Sequence, residues 1–409
     1  MAVCTATIPI ELVHNRVKLA VSGAIVISFD VRKEPRVPTR VARVTTEMTI
    51  QSTELRTVEV PTGRGLLGEI PFRLGAFVVL RVRTDAGAEG VAYAGYTHPG
   101  LVGALRATVE AVAGAAVGMD IWDNRRLEQI RDGFGVGAPG GLLQRAVSAL
   151  DVAVWDLRGK ATGLPVWRLL GGSAPDVACY ASGHLWRHYA LAELEQHAGE
   201  LAAMGFRAMK LRCGAEGKPA AEVERLAVVR RTVGPHVDLM IDINQGWSVA
   251  QAISIGRRFA EHDLYWLEDP TACEDYDGHA AIAAALDTPV CAGEYLYGLA
   301  PLRELAARRS VDYLMPDCLR VGGITGFMKA AHLAEAHNLP VVSHLATEFL
   351  AHAVAACPNG LSVEHMPWTF PLFAEVPAID PATGRLVLGD APGFGLELDD
   401  EAVKRFALD

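Results

Sequence analysis

The sequence contains no run of 18 uninterrupted apolar residues, and its N-terminus lacks a basic stretch followed by an apolar run and a small-residue cleavage site. These absences argue against a membrane span and a secretory leader. There is no CxxC pair either. The seven cysteines, at positions 4, 179, 213, 273, 291, 318 and 357, are an odd, scattered set that reads as reduced thiols, none of them a candidate metal ligand. A basic surplus is also missing: the net charge of −10 argues against nucleic acid or an anionic membrane as the main partner. The expectation is a cytoplasmic protein acting on a small molecule. If that molecule is an acid, a local cation such as a bound metal must receive it.

What is present is apolar mass: 409 residues, 50% of them hydrophobic, are enough for a large core and two domains. Residues 1–47 are poorly patterned, with Pro9, Pro35, Pro38 and a basic cluster from Arg32 to Arg43, and are read as an N-terminal extension without assigned function. From Met48, MTIQSTELRTVEVP alternates as a first strand, and FVVLRVRTDAGAEGVAY alternates around the turn Asp85, Ala86, Gly87 as a hairpin. In LLQRAVSALDVAVWDLRGKATG, residues Leu143, Ala146, Val147, Leu150, Val154 and Leu157 share a helical face, ended by Gly163 and Pro165. Residues 48–170 are therefore expected to form an α+β domain.

After Gly171 and Gly172 short apolar runs alternate with amphipathic helices. The predicted strands are VACYAS (177–182), RAMKLR (207–212), VDLMID (237–242), LYWLE (264–268), PVCAGE (289–294), VDYLMP (311–316), PVVSH (340–344) and LSVE (361–364). Eight such strands are the signature of a β/α barrel over residues 171–369. The tail, 370–409, carries the hairpin-like DPATGRLVLGDAPGFG and is expected to return to the first domain.

Barrels of this kind place chemistry at the C-terminal ends of their strands. Those ends hold Lys210 and Arg212, Asp242, Glu268, Glu294, Asp317, His344 and Glu364. Asp242, Glu268 and Glu294 are spaced by 26 and 26 residues, one β/α unit each, so their carboxylates converge on one barrel mouth. Like charges packed that closely must take up protons or share a cation, and oxygen ligands without His or Cys suit Mg²⁺ better than zinc. Lys210 and Arg212 are two apart and point the same way. Asp317, one strand before His344, is placed to accept its Nδ1 proton, which suggests a general acid/base pair. His365 should point away from Glu364 and is left out.

The stretches SALDVAVWDLRGKATGLPVWRLLGG, GFRAMKLR, DINQGW, WLEDPTACEDYDGH, PVCAGE, MPDCLRVGGITGFMKAAHLAEAHNLPVVSH and VEHMPW jointly resemble the mandelate racemase subgroup of the enolase superfamily. The resemblance runs from about Met48 to the end. It implies a modified TIM barrel, (β/α)7β, capped by an α+β domain, with one Mg²⁺ held by Asp242, Glu268 and Glu294. His344 and Asp317 would form the acid/base dyad on one face of the substrate, and Glu364 would hydrogen-bond the substrate carboxylate as the neutral acid. Lys210 matches the first lysine of the KxK pair, and Asn244 a polar position that touches substrate. The implied chemistry is removal of a proton α to a carboxylate through an enediolate, and the resemblance further implies a homo-oligomer.

One position departs from that pattern, since Arg212 stands where the racemase has its second lysine. Neutralising an arginine at pH 7 would cost roughly 7 kcal/mol, so a second base on that face is disfavoured. A one-base route is left, in which His344 takes the α-proton and then protonates a leaving β-hydroxyl: dehydration of a sugar acid to a 2-keto-3-deoxy acid. The alternatives are a racemase or epimerase of a 2-hydroxy acid, or a cycloisomerase. A non-catalytic scaffold would be expected to have lost some of these residues, and none is missing. Substrate contacts are expected from the segments 61–72 and 94–101 and from the end of the first barrel strand, with Arg64, Tyr96, His98, His184 and Trp186 as the named candidates.

Overall fold

The computed structural model describes residues 48–61, 75–134 and 140–408, together with the backbone of three strands among the first 47 residues. Arg64 and most of the segment 61–72 lie outside the described residues. The chain divides into two compact units, Met1–Glu47 and Met48–Asp409. In the first, β1 (Ile10–Val13), β2 (Arg16–Val21) and β3 (Ile25–Asp30) form an antiparallel sheet, where the sequence showed no strand pattern.

The second unit opens with an antiparallel sheet of β4 (Ile50–Glu59), β5 (Ala76–Thr84) and β6 (Glu89–Thr97) in that order. Three helices follow, Pro99–Ala115, Asn124–Gly133 and Gly141–Thr162. The third buries Ala146, Val147, Leu150, Val154 and Leu157, and Gly163 ends it with φ of 70°. Its other sides bind the barrel: Trp155 Nε1 donates to Thr325 Oγ1 at 2.9 Å, and Asp151 Oδ1 accepts from Thr325 N at 2.9 Å.

Eight parallel strands close the barrel. They are β7 (Asp176–Leu185), β8 (Ala208–Arg212), β9 (Asp238–Asp242), β10 (Leu264–Glu268), β11 (Val290–Ala292), β12 (Tyr313–Leu314), β13 (Val341–Val342) and β14 (Gly360–His365). Closure is made by β14 on β7, with Glu364 opposite Tyr180. Helices stand between successive strands and none follows the last before the tail, so the barrel is (β/α)7β. Alternation sorts its interior into layers. Tyr180, Ala208, Met240, Trp266, Met315 and Val342 pack together in the barrel core. Two residues further on, the same inward side carries Ser182, Lys210, Asp242, Glu268, Asp317 and His344, all buried.

The tail hairpin, β15 (Ala378–Asp380) with β16 (Arg385–Val387), joins the barrel: β16 pairs antiparallel with β7. Residues after it reach the cap sheet, where Glu59 N donates to Phe406 O and Leu408 N to Thr57 O, both at 2.9 Å. Among the described residues, no helix is long and apolar enough to cross a membrane.

Candidate active site

A cavity of about 440 Å³ opens over the C-terminal ends of the barrel strands. Its walls are Asp242, Asn244, Glu294, Arg212 and His344 from the barrel, Tyr96 and Arg145 from the cap, and an aromatic side of Trp186 and Trp368, stacked at 6.1 Å and 10°.

The loop after β12 turns into a short helix capped by Asp317, whose Oδ1 accepts from Leu319 N at 2.7 Å. The cap fixes the carboxylate so that Oδ2 lies 3.0 Å from His344 Nδ1. His344 Nε2 then faces Glu294 Oε2 at 3.3 Å. Burial pulls the imidazole pKa down, but the carboxylates of Glu294, Asp317 and Glu364 outweigh it and leave it above its ordinary value.

Across from this pair, Lys210 Nζ contacts Glu268, reaches Glu364 Oε1 at 2.9 Å and Asp242 Oδ2 at 3.7 Å. Burial alone would lower its pKa; the three acids reverse that and keep it an ammonium. Arg212 is pinned from four sides. Its two terminal nitrogens bond the Ser182 carbonyl and hydroxyl, Nε sits 3.5 Å from Asp242 Oδ2, and the guanidinium stacks 4.3 Å from the Trp186 ring.

Glu364 accepts from the Ser182 hydroxyl and, at 2.7 Å, from Leu345 N. Burial opposes ionisation, yet Lys210, His344 and Arg212 together hold the carboxyl well below its usual range. The cations thus favour its ionised form before a substrate carboxylate arrives. A neutral Glu364 needs a further anion beside it, such as a substrate carboxylate.

The carboxylates gather at the barrel mouth, and Asp269 stands among them. Glu268, Asp269 and Glu294 each present an oxygen, all within 4.8 Å of one another, and all three side chains are buried. Asp242 stands beside them with its oxygens accepting from Asn244 N at 2.8 Å and Nδ2 at 2.9 Å. Burial pushes Glu268 and Asp269 well above the carboxylate range; Lys210 opposes the shift at Glu268, and the neighbouring acids add to it at both. An all-oxygen cluster with surplus negative charge fits a hard divalent cation.

Two substrate-contact candidates lie outside the cavity lining. His98 is exposed and caps the helix Pro99–Ala115, its Nδ1 accepting from Gly100 N at 3.0 Å. His184 is buried beside His197, at 6.4 Å between ring centroids, and lies outside the cavity lining. The reason is register: Ala181 pairs with Met209 but Leu185 with Leu211, so the extra residues of β7 break the alternation that Ser182 obeys. His365 packs away from the site, against Phe206 and Phe370. Tyr96, Trp186 and Asn244 do line the cavity.

Residues missed by sequence reasoning include Ser182, Asp269, Arg145, Arg187, Tyr295 and Arg320. Ser182 was within reach, as the inward residue two beyond Tyr180. Asp269 sits in a turn with left-handed backbone (φ 39°), Arg187 and Tyr295 follow the ends of β7 and β11, Arg320 lies on the short helix Cys318–Val321, and Arg145 comes from the cap helix Gly141–Thr162.

Residues 193–402 match the family model for the enolase C-terminal domain-like fold, and residues 72–171 that for the mandelate racemase / muconate lactonizing enzyme N-terminal domain. The chain is 33% identical to L-talarate/galactarate dehydratase of Salmonella typhimurium over 86% of both chains. It is 32% identical to 3,6-anhydro-alpha-L-galactonate cycloisomerase of Streptomyces coelicolor, over 81% of this chain and 91% of the relative. L-Talarate dehydratase from Polaromonas sp. JS666, solved with Mg and L-glucarate, superposes with a TM-score of 0.79 at 33% identity, covering 88% of this chain and 98% of that one. With both domains matched and the strand-end chemistry in place, the chain belongs to the mandelate racemase / muconate lactonizing enzyme family of the enolase superfamily.

Proposed function

We propose that this protein removes the proton α to the carboxylate of a sugar acid and expels the β-hydroxyl as water, giving a 2-keto-3-deoxy acid. The observation that carries the reading is the asymmetry of the two walls. One offers an imidazole oriented by Asp317 at 3.0 Å, and the other a guanidinium pinned by Ser182, Asp242 and Trp186 that cannot release a proton.

Asp242, Glu268 and Glu294 are assigned to one Mg²⁺, which when bound would stabilise charge on the substrate carboxylate and offset the field of the buried acids. Lys210 and Arg212 face the negative charge that develops as the enediolate forms. His344 takes the α-proton on Nε2, and the C–H electron pair enters the enediolate. The imidazolium then returns that proton to the β-oxygen as the C–O bond breaks; water leaves, and the enol becomes the 2-keto acid. Glu364 hydrogen-bonds the substrate carboxylate, and the approach of that anion raises it towards the neutral form. Residues 48–170 act as a cap that excludes water from the mouth, with Tyr96 its contact at the site.

Two arginines of the cavity lining narrow the substrate class. Arg145 donates to Gly95 O at 2.6 Å and approaches Tyr297 Oη at 3.1 Å, while Arg187 donates to Asn244 Oδ1. Among the described residues neither guanidinium forms an ion pair, which favours a substrate with a second carboxylate, as the talarate and galactarate of the relative have. Cycloisomerisation needs the same base and is kept as a second reading by the 32% identical cycloisomerase. The family resemblance also supports self-association.

The test is a screen of four- to six-carbon mono- and diacids with Mg²⁺, scoring 2-keto acid formation separately from α-proton exchange in D₂O and loss of optical activity. Keto acid from a diacid is expected, and His344→Asn should lower its kcat by about 10²–10⁴-fold. Loss of optical activity without keto acid would overturn the assignment of Arg212, and near-normal turnover of the variant that of the base.

A further inference from the structure

Asp269 directly follows Glu268, the last residue of β10, so a continued strand would turn its side chain out towards the helices. The backbone prevents this. Asp269 has φ of 39°, a left-handed conformation that a non-glycine residue keeps only when its surroundings hold it. Those surroundings are two neighbouring strand ends: its N–H donates to Cys291 O at 2.9 Å and its carbonyl accepts from Gln245 N at 2.8 Å. The carboxylate is thereby re-aimed into the acidic cluster, where one oxygen lies within 4.8 Å of oxygens of Glu268 and Glu294.

The three members differ in how their oxygens are served. Glu268 is bonded by Lys210 and, at 3.0 Å, by Trp266 Nε1; Glu294 meets His344 Nε2 at 3.3 Å. Asp269 is fully buried, and neither of its oxygens has a hydrogen-bond partner. Buried carboxylate oxygens without a donor are rare in folded proteins and call for an explanation at the site itself. Here two more carboxylates face the same space, an arrangement of oxygens that suits a hard cation.

We propose that Asp269 is a further acidic member of the divalent-cation site, holding the ion together with Asp242, Glu268 and Glu294. The proposal rests on the cation reading above and adds a residue that neither strand spacing nor alternation selects.

The test titrates metal-stripped, full-length protein with Mn²⁺, reading bound ion by electron paramagnetic resonance and stability by thermal melting. Asp269→Asn keeps the shape and removes the charge. It is expected to weaken Mn²⁺ binding at least tenfold and to shrink the Mn²⁺-induced rise in Tm, while the metal-free Tm equals or exceeds that of wild type. Wild-type affinity in the variant would overturn the proposal and leave the cation site standing. A wild type that binds no Mn²⁺ would instead remove the cation reading itself. Should the variant fail to fold, crystals of wild type grown with Mn²⁺ decide: the anomalous peak must lie in contact with an Asp269 oxygen or one water away, and a more distant peak overturns the proposal.

Discussion

Arg212 shows how a single side chain limits the reaction available to a common scaffold. A lysine there would bring one rotatable point charge whose pKa burial can lower; the guanidinium stays charged, directs its donors to Ser182 and Asp242 and stacks on the Trp186 ring. Arg212→Lys is therefore expected to lower kcat/KM for the dehydrated acid by about 10–100-fold, the loss of one or two charge-assisted bonds, without a matching fall in Tm. Unchanged kcat/KM would show that the fork does not serve the substrate. The same scale marks the limit of sequence reading. Lys210, Asp317, His344 and Glu364 were legible because each lies near or just past the C-terminal end of a strand, on the inward side that the period of two selects. Asp269 was not, because a left-handed φ cancels that period, nor was the position of His184, because the irregular pairing of β7 does the same.

At the scale of elements, all eight barrel strands sit where apolar runs predict them, yet several are shorter than their runs. PVCAGE contributes only Val290–Ala292 to the ladder. Gly293, with φ of 135°, then swings the chain so that Glu294 enters the site; a Cβ there would come within 3.1 Å of Met315 O. The tail hairpin was visible as a hairpin, but its partner, β7, was not, since pairing across roughly 200 residues leaves no local signal. Close helix packing is another long-range property. On the helix Gly141–Thr162, a Cβ at Gly159 would lie 2.5 Å from Gly393 Cα and 2.8 Å from Leu164 O, backbone atoms that cannot rotate away. Gly159→Ala should therefore destabilise the protein by about 1–3 kcal/mol, the clash outweighing the gain in helix propensity. Gly103→Ala, at an exposed position of the helix Pro99–Ala115 with nothing within 4 Å of the new Cβ, should be neutral or stabilising by up to about 1 kcal/mol. Urea melts of the pair check this, and equal shifts would contradict it.

At the scale of the whole molecule, cap, barrel and tail meet at a buried histidine that takes no part in the proposed chemistry. His352 lies on the barrel helix Thr347–Ala356, accepts from Trp167 N at 3.2 Å in the segment that links cap to barrel, and meets the Phe394 ring of the tail edge-on at 5.2 Å. Fully enclosed, it is pushed by burial down to about 3. The sign of the consequence follows from linkage. Unfolded, His352 gains a proton below about pH 6.5, and folded it does not, so its share of the stability is complete above that pH and falls as pH drops towards 3. His352→Gln keeps an acceptor for Trp167 N and removes the titration. The stability difference between wild type and variant should therefore move in the variant's favour by about 3 kcal/mol between pH 7.5 and pH 4.5, at about 1.4 kcal/mol per unit below 6.5. Urea midpoints and slopes at the two pH values measure it. A difference that does not change with pH would mean that His352 is protonated to the same extent in both states, and that the junction of the three segments admits the charge its packing is argued to exclude.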